Sequence, residues 1–238
     1  RRAGLIAAIV LATSPLYYLL ARIITLDMAV SVLLTGALLS FLLGVREPPG
    51  RTRSLYLYAF YALCAAATLT KGLIGIVIPA MVIGAWIVLL WDWRLLRAIH
   101  LPTGLLLFFV LAAPWHVLAA RANPEFAQFY FIHEHFQRYL TTVHMRYRPW
   151  WFFLPVLVFG MLPWIGLLFP ALRDAWAGWR ARRERREELF LLLWVGLVFA
   201  FFSVSGSKLI PYILPMLPPS ALLLGRYLAP AEPAPEPK

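Results

Sequence analysis

Residues 25–45, TLDMAVSVLLTGALLSFLLGV, decide the fold of this chain, because one carboxylate, Asp27, is followed by eighteen residues without a charge. An apolar helix of about 20 residues is long enough to cross the ~30 Å hydrocarbon core of a bilayer. Backbone polar groups in lipid find partners only within helices or closed barrels. The stretch therefore predicts a transmembrane helix that begins at a carboxylate.

The composition extends this prediction to the whole chain. Of 238 residues, 62% are hydrophobic and 14% are charged, whereas soluble domains are about 25% charged. Apolar runs that predict membrane spans cover residues 3–20, 26–45, 55–71, 72–91, 101–119, 150–169, 189–205 and 209–227. We expect an all-α polytopic membrane bundle over residues 1–229, followed by a disordered Pro-rich tail at 230–238.

The net charge of +11 does not indicate nucleic acid as a partner, because the basic residues lie in short loops between apolar runs. Membrane lipids are the expected partners of these loops. Cys64 is the only cysteine and lies in an apolar run. The sequence therefore excludes a disulfide within the chain and a cysteine-based metal site.

Lysine and arginine counts predict the orientation in the membrane. With spans alternating in direction, fifteen of the 22 basic residues fall on one side, which is predicted to be cytoplasmic. The opposite side, called the far side below, holds the other seven: Arg22, Lys71, Arg121, Arg138, Arg146, Arg148 and Lys208. Asp27 and the histidines of FIHEHFQRY (131–139) also fall there, so ionisable residues converge on the far side.

Each far-side residue admits a structural and a functional interpretation. Asp27 either caps its helix or acts as a general base or charge stabiliser beside the bilayer. Lys71, before Gly72, either extends to the interface or binds an anionic headgroup. The small-residue break at 203–207 is either a tight loop or the lining of a cavity in which Tyr212 donates to the same anion.

The sequence Asn123-Pro124-Glu125 predicts the start of a helix, and FIHEHFQRY lies within that helix. The whole segment, at about 120–148, is expected to lie along the membrane interface. His133 and His135 are two residues apart and face different directions on a helix, so they do not chelate one metal together. A site with one histidine and carboxylates from elsewhere stays open. Glu134 and Arg138 have the spacing of an intrahelical ion pair.

Several motifs together resemble the aminoarabinose (4-amino-4-deoxy-L-arabinose) lipid A transferases, within the membrane glycosyltransferases that use polyprenyl-phosphate sugars. The motifs are TLDM at 25–28, LTKG at 69–72, PWHVLAARANPEF at 114–126, EHFQRY at 134–139, RPWWFFLPVLVFGMLPW at 148–164 and FFSVSGSKLIPYIL at 201–214. The resemblance implies a C-type glycosyltransferase fold in the bacterial inner membrane, with the active site facing the periplasm.

The resemblance also implies roles for individual residues. Asp27 matches an acidic residue required for activity, and Lys71 and Tyr212 are expected to approach the lipid phosphate. His135 matches a ligand of a divalent metal ion near that phosphate, while Arg138 and Lys208 are weaker candidates for phosphate binding. The implied partners are a polyprenyl-phosphate-sugar donor, with aminoarabinose on undecaprenyl phosphate as the expected donor, and a lipid A or other glycan or lipid acceptor.

Relative to that family, the chain is expected to be truncated at both ends. The first periplasmic loop with its acidic pair is expected upstream of Arg1, and residues 1–238 alone are expected to be inactive. A transporter or flippase for a lipid-linked anion is a second hypothesis, disfavoured because the charges lie at one boundary rather than at mid-membrane. A protein O-mannosyltransferase-like enzyme is a third.

Overall fold

The computed structural model describes residues 1–126, 148–178 and 185–229, and these residues form helices joined by short turns. The α-helices are α1 (Arg2–Thr13), α2 (Pro15–Leu20), α3 (Leu26–Arg46), α4 (Arg51–Lys71), α5 (Ile74–Leu90), α6 (Leu95–Ala98), α7 (Leu101–Ala122), α8 (Phe153–Gly160), α9 (Ile165–Ala177), α10 (Arg186–Val204) and α11 (Leu217–Leu228). Two 3₁₀ helices, Trp150–Phe152 and Ile210–Met216, precede α8 and α11. The predicted all-helical membrane bundle is confirmed.

The helix predicted from TLDMAVSVLLTGALLSFLLGV is α3, which ends one residue beyond the predicted boundary. In the described parts of the chain, three helices (α3, α7 and α10) are long and apolar enough to cross a membrane, or four if α8 and α9 form one span. This number is smaller than the eight spans predicted from apolar runs. Helices α1 and α5 are apolar but shorter.

Prolines account for three departures from the predicted spans. The first run breaks at Ser14, which is extended because the α conformation is disfavoured before Pro15. The sixth run bends by 113° between its two halves, at a turn containing Pro163. The eighth run starts as a 3₁₀ helix containing Pro211 and Pro215, because proline has no N–H to donate to an α-helical ladder.

An aromatic cluster holds α3, α4, α5 and α10 together on the side opposite to Asp27. The Phe41 and Phe190 rings stack with centroids 5.9 Å apart, and Trp86 meets Phe190 edge-on at 5.4 Å. Phe60 contacts Phe41 at 5.5 Å. The Trp86 indole N–H donates to the carbonyl of Arg186 at 2.8 Å, so this end of the bundle is fixed by packing and by a hydrogen bond.

Ion pairs join four elements at the same end and are called the arginine–carboxylate network below. Glu188 is buried and pairs with Arg226 of α11 at 2.8 Å and with Arg185. The network also contains the pairs Arg46–Glu187 at 3.0 Å, Arg226–Glu187 at 3.0 Å and Arg185–Asp174 at 2.8 Å. It therefore ties α3, α9 and α11 to the start of α10.

Gly225 allows α11 to approach α1 closely. A Cβ atom at Gly225 would lie 2.2 Å from the carbonyl oxygen of Ala3 and 3.1 Å from the Cβ atom of Ala7. We expect Gly225→Ala to destabilise the protein by about 1–3 kcal/mol, because the clash is with backbone and forces the helices apart. Thermal unfolding in detergent checks this effect.

Gly196→Ala is the matched control, since a Cβ atom at Gly196 would meet nothing within 4 Å. This variant is expected to unfold at or slightly above the wild-type temperature, because alanine favours helix over glycine. Equal unfolding temperatures for Gly225→Ala and the wild type would contradict the packing of α1 on α11.

Candidate lipid-phosphate site

The far-side site is built where α3 begins and α4 ends. These antiparallel helices place Asp27, in the first turn of α3, beside Lys71, the last residue of α4. Gly72 ends α4 with a positive φ of 87° and donates its N–H to the carbonyl of Thr68 at 2.8 Å. This turn leaves the Lys71 side chain at the boundary of the bundle, directed toward α3.

Lys71 and Asp27 form an ion pair through the Lys71 Nζ and the Asp27 Oδ1 atoms. Both side chains are partly buried, with 29% of Lys71 and 19% of Asp27 exposed. The N-cap residue Thr25 makes no side-chain cap hydrogen bond, whereas the carboxylate of Asp27 lies in the first turn of α3, where its charge interacts favourably with the helix dipole. Lys71 does not simply extend into the interface, because this carboxylate from another helix holds it.

The Tyr212 ring lies under the Lys71 ammonium group, with Nζ 4.9 Å from the ring centroid. The ring also packs against Phe202 of α10, at a centroid distance of 5.3 Å. A cation above an aromatic face is attracted by the ring quadrupole. Lys71 is thus held between a carboxylate and an aromatic face, and three of the predicted site residues meet at one point.

Lys208 occupies a different environment from the one predicted. The side chain is buried, with 4% exposed, and Nζ donates to the carbonyls of Ser205 and Arg148, the latter at 3.0 Å. Burial lowers the pKa of Lys208 because it disfavours the charged form. This geometry favours a role in tying the start of the 148–152 segment to the 205–208 loop, rather than direct contact with a phosphate.

Four buried hydroxyl groups accompany these residues. Within the described ranges, the oxygens of Thr25, Ser31, Ser203 and Ser207 have no hydrogen-bond partner. Thr25 and Ser31 flank Asp27 along α3, while Ser203 and Ser207 precede Lys208. Buried hydroxyls normally find partners in protein, water or ligand, so these four groups are exceptions within the described ranges.

The remaining predicted site residues, His135 and Arg138, lie outside the described residues, as do Glu134, most of the predicted interfacial helix and the Pro-rich tail. The start of that segment is described: the Asn123 Oδ1 atom accepts the N–H of Glu125 at 3.1 Å, which is the hydrogen bond of an N-cap.

Metal binding by the described residues is not supported. The structure contains no group of three or more His, Cys, Asp or Glu residues placed to hold a metal ion within residues 1–126, 148–178 and 185–229. Asp27, the carboxylate at the site, already binds Lys71 through Oδ1. A metal-ligand role for His135 therefore stays a prediction, and no catalytic step is assigned to a metal.

Comparisons with known proteins agree with this fold. A family model for dolichyl-phosphate-mannose-protein mannosyltransferase matches residues 1–117. Two undecaprenyl phosphate-α-4-amino-4-deoxy-L-arabinose arabinosyl transferases are similar over nearly the whole chain. The one from Aeromonas salmonicida is 35% identical over 94% of the chain, and the one from Edwardsiella ictaluri is 31% identical over 95%. The chain spans 40% of the length of each.

Solved structures extend the similarity to three dimensions. ArnT from Cupriavidus metallidurans bound to undecaprenyl phosphate superposes with a TM-score of 0.87 at 36% identity, over 97% of this chain and 41% of that one. The apo form of the same protein gives a TM-score of 0.82. By sequence and by fold, this multi-pass membrane chain is similar to the undecaprenyl phosphate-aminoarabinose arabinosyl transferases, of whose length it spans about 40%.

Proposed function

We propose that this chain is part of a membrane glycosyltransferase that transfers a sugar from a polyprenyl-phosphate carrier to a lipid acceptor. The donor is proposed to be undecaprenyl-phosphate-aminoarabinose, and the acceptor is proposed to be lipid A or a related molecule. The reaction would then be a modification of lipopolysaccharide. The proposed location is the bacterial inner membrane, with the site facing the periplasm. The observation that carries the proposal is the position of Lys71 between Asp27 and Tyr212, where α3 begins and α4 ends.

Lys71 is suited to hold the donor phosphate. An ammonium group has three N–H donors, and Asp27 takes one of them. The other two remain for phosphate oxygens, and the partial exposure of Lys71 leaves the group accessible. When the bond between the sugar carbon and the donor phosphate breaks, negative charge develops on that phosphate, and a fixed ammonium group stabilises it.

Asp27 is proposed to act in two ways. The Oδ1 atom of Asp27 holds Lys71 in place. The Oδ2 atom remains to orient the acceptor, or to take the proton of the acceptor hydroxyl as the acceptor oxygen forms its bond to the sugar carbon. Because the donor is already in the bilayer, the enzyme needs no nucleotide-binding loop.

The Tyr212 ring is expected to contribute more than its hydroxyl group. Tyr212→Phe keeps the aromatic face under Lys71, so activity should stay within about threefold of the wild type. Tyr212→Leu removes the cation–π contact and should lower the transfer rate roughly tenfold. Transfer rates of both variants at saturating donor check this prediction. Equal losses in the two variants would instead support donation by the hydroxyl group to the phosphate.

A reconstituted transfer assay tests the proposal as a whole. The full-length protein in proteoliposomes is supplied with undecaprenyl-phosphate-aminoarabinose and lipid A, and aminoarabinose-modified lipid A is measured by mass spectrometry. We expect this product with the aminoarabinose donor and none with polyprenyl-phosphate-mannose. Movement of the donor between leaflets without transfer would contradict the proposal and favour a flippase. Transfer of mannose to a peptide would favour a protein O-mannosyltransferase.

A further inference from the structure

A second charged site lies at the helix ends opposite to the Asp27–Lys71 pair. A cleft of about 460 Å³ is lined by Leu90, Trp91, Asp92, Arg94 and Arg186. Leu90 ends α5, Trp91 to Arg94 form the turn that follows, and Arg186 begins α10. The volume is within the range of small-molecule sites, and the lining carries two guanidinium groups and one carboxylate.

The charges in this cleft have no ion-pair partner among the described residues. In the neighbouring arginine–carboxylate network, each of three arginines is paired with a carboxylate. By contrast, the side chains of Asp92, Arg94 and Arg186 form no ion pair with any residue in the described ranges. Two cations and one anion therefore face the same cleft and are available to a ligand that carries both signs of charge.

The cleft is expected to open at the level of the lipid headgroups. Trp91 is 72% exposed and Trp93 is 49% exposed, and their ring centroids are 6.0 Å apart. Trp91 has a left-handed backbone conformation, with φ 55°, and its N–H donates to the carbonyl of Val88 at 3.1 Å. Exposed tryptophans at the end of an apolar membrane helix are typical of the headgroup belt, so the nearest abundant ligand is a phospholipid.

We propose that this cleft binds the headgroup of phosphatidylethanolamine in the leaflet opposite to the transfer site. The phosphodiester lies between Arg94 and Arg186, since guanidinium groups form strong charge-assisted hydrogen bonds to phosphate. The primary ammonium group donates to Asp92. Phosphatidylcholine carries the same charges, but its quaternary ammonium group has no N–H to donate. This binding site is independent of the sugar transfer proposed above.

Native mass spectrometry tests the proposal by measuring which lipid stays bound to the full-length protein. The protein is exchanged into detergent that contains equal amounts of phosphatidylethanolamine and phosphatidylcholine. The wild type should retain phosphatidylethanolamine preferentially. Arg94→Gln and Arg186→Gln should each lower the retained fraction about tenfold, as expected for loss of a charge-assisted hydrogen bond. Arg97→Gln is the matched control, because Arg97 is exposed on α6, the short helix that follows Arg94, but does not line the cleft; this variant should retain the lipid as the wild type does.

Asp92→Asn supplies a second measurement, in which the arginines stay intact. This variant should bind both lipids and lose most of the preference for phosphatidylethanolamine. Three results would overturn the proposal: no preference in the wild type, equal losses in Arg97→Gln and Arg186→Gln, or displacement of the lipid by an equal concentration of soluble glycerophosphoethanolamine. The last result would show that a free phosphodiester is sufficient.

Discussion

Replacement of Lys71 by methionine is expected to lower the rate of sugar transfer roughly 10²–10³-fold, the loss typical of removing one donor that stabilises developing negative charge. Methionine keeps most of the length and apolar volume of the lysine stem but cannot donate to a phosphate. Initial rates at saturating donor and acceptor, measured on the full-length protein, check this effect.

Arg22→Gln is the matched control for Lys71→Met. Arg22 is also a far-side cation, but it is exposed and lies over the Tyr18 ring, 4.6 Å from the centroid. This variant should transfer at the wild-type rate. A wild-type rate for Lys71→Met would remove Lys71 from the catalytic machinery, whereas equal losses in both variants would indicate a general effect of positive charge at the membrane surface.

Asp27→Asn is expected to reduce transfer roughly 10²-fold, because the amide neither accepts a proton from the acceptor nor holds Lys71 as an ion pair does. Affinity for the donor should change much less than the rate, since Lys71 itself remains. Rate and donor affinity measured on the same preparation separate the two effects. A loss confined to donor affinity would show that Asp27 acts only by holding Lys71.

The double variant Asp27→Asn/Lys71→Met separates catalysis from burial of charge. If Lys71 served only to neutralise Asp27, removing both charges would restore much of the activity, because the cost of an unpaired, partly buried carboxylate would disappear. We expect no recovery, because the phosphate contact and the carboxylate are both lost. Recovery to within threefold of the wild-type rate would assign the pair a structural role.

The sequence predicted α3 closely because a long uncharged run starts at a carboxylate and ends at Arg46. Hydropathy alone did not predict where the apolar runs break. The break at Ser14 and the bend between α8 and α9 both fall inside continuous apolar runs, so only the local effects of proline distinguish them from straight helices.

The site was predictable in location but not in its contacts. Counting basic residues in loops placed Asp27, Lys71, Tyr212 and Lys208 on one side, and the antiparallel path of α3 and α4 made contact between Asp27 and Lys71 possible. The hydrogen-bond and ion-pair partners of each side chain depend on tertiary packing. Lys208 illustrates this limit, because its sequence context resembles that of an exposed loop lysine, whereas the fold buries it between two backbone carbonyls.

The affinity of the full-length protein for undecaprenyl phosphate in nanodiscs tests the central claim most directly, because it isolates phosphate binding from the rest of the reaction. We expect Asp27→Asn and Arg22→Gln to bind within about threefold of the wild type, and Lys71→Met to bind at least about tenfold more weakly, as expected for loss of a charge-assisted hydrogen bond. Wild-type affinity in Lys71→Met would contradict the assignment of Lys71 as the residue that holds the lipid phosphate.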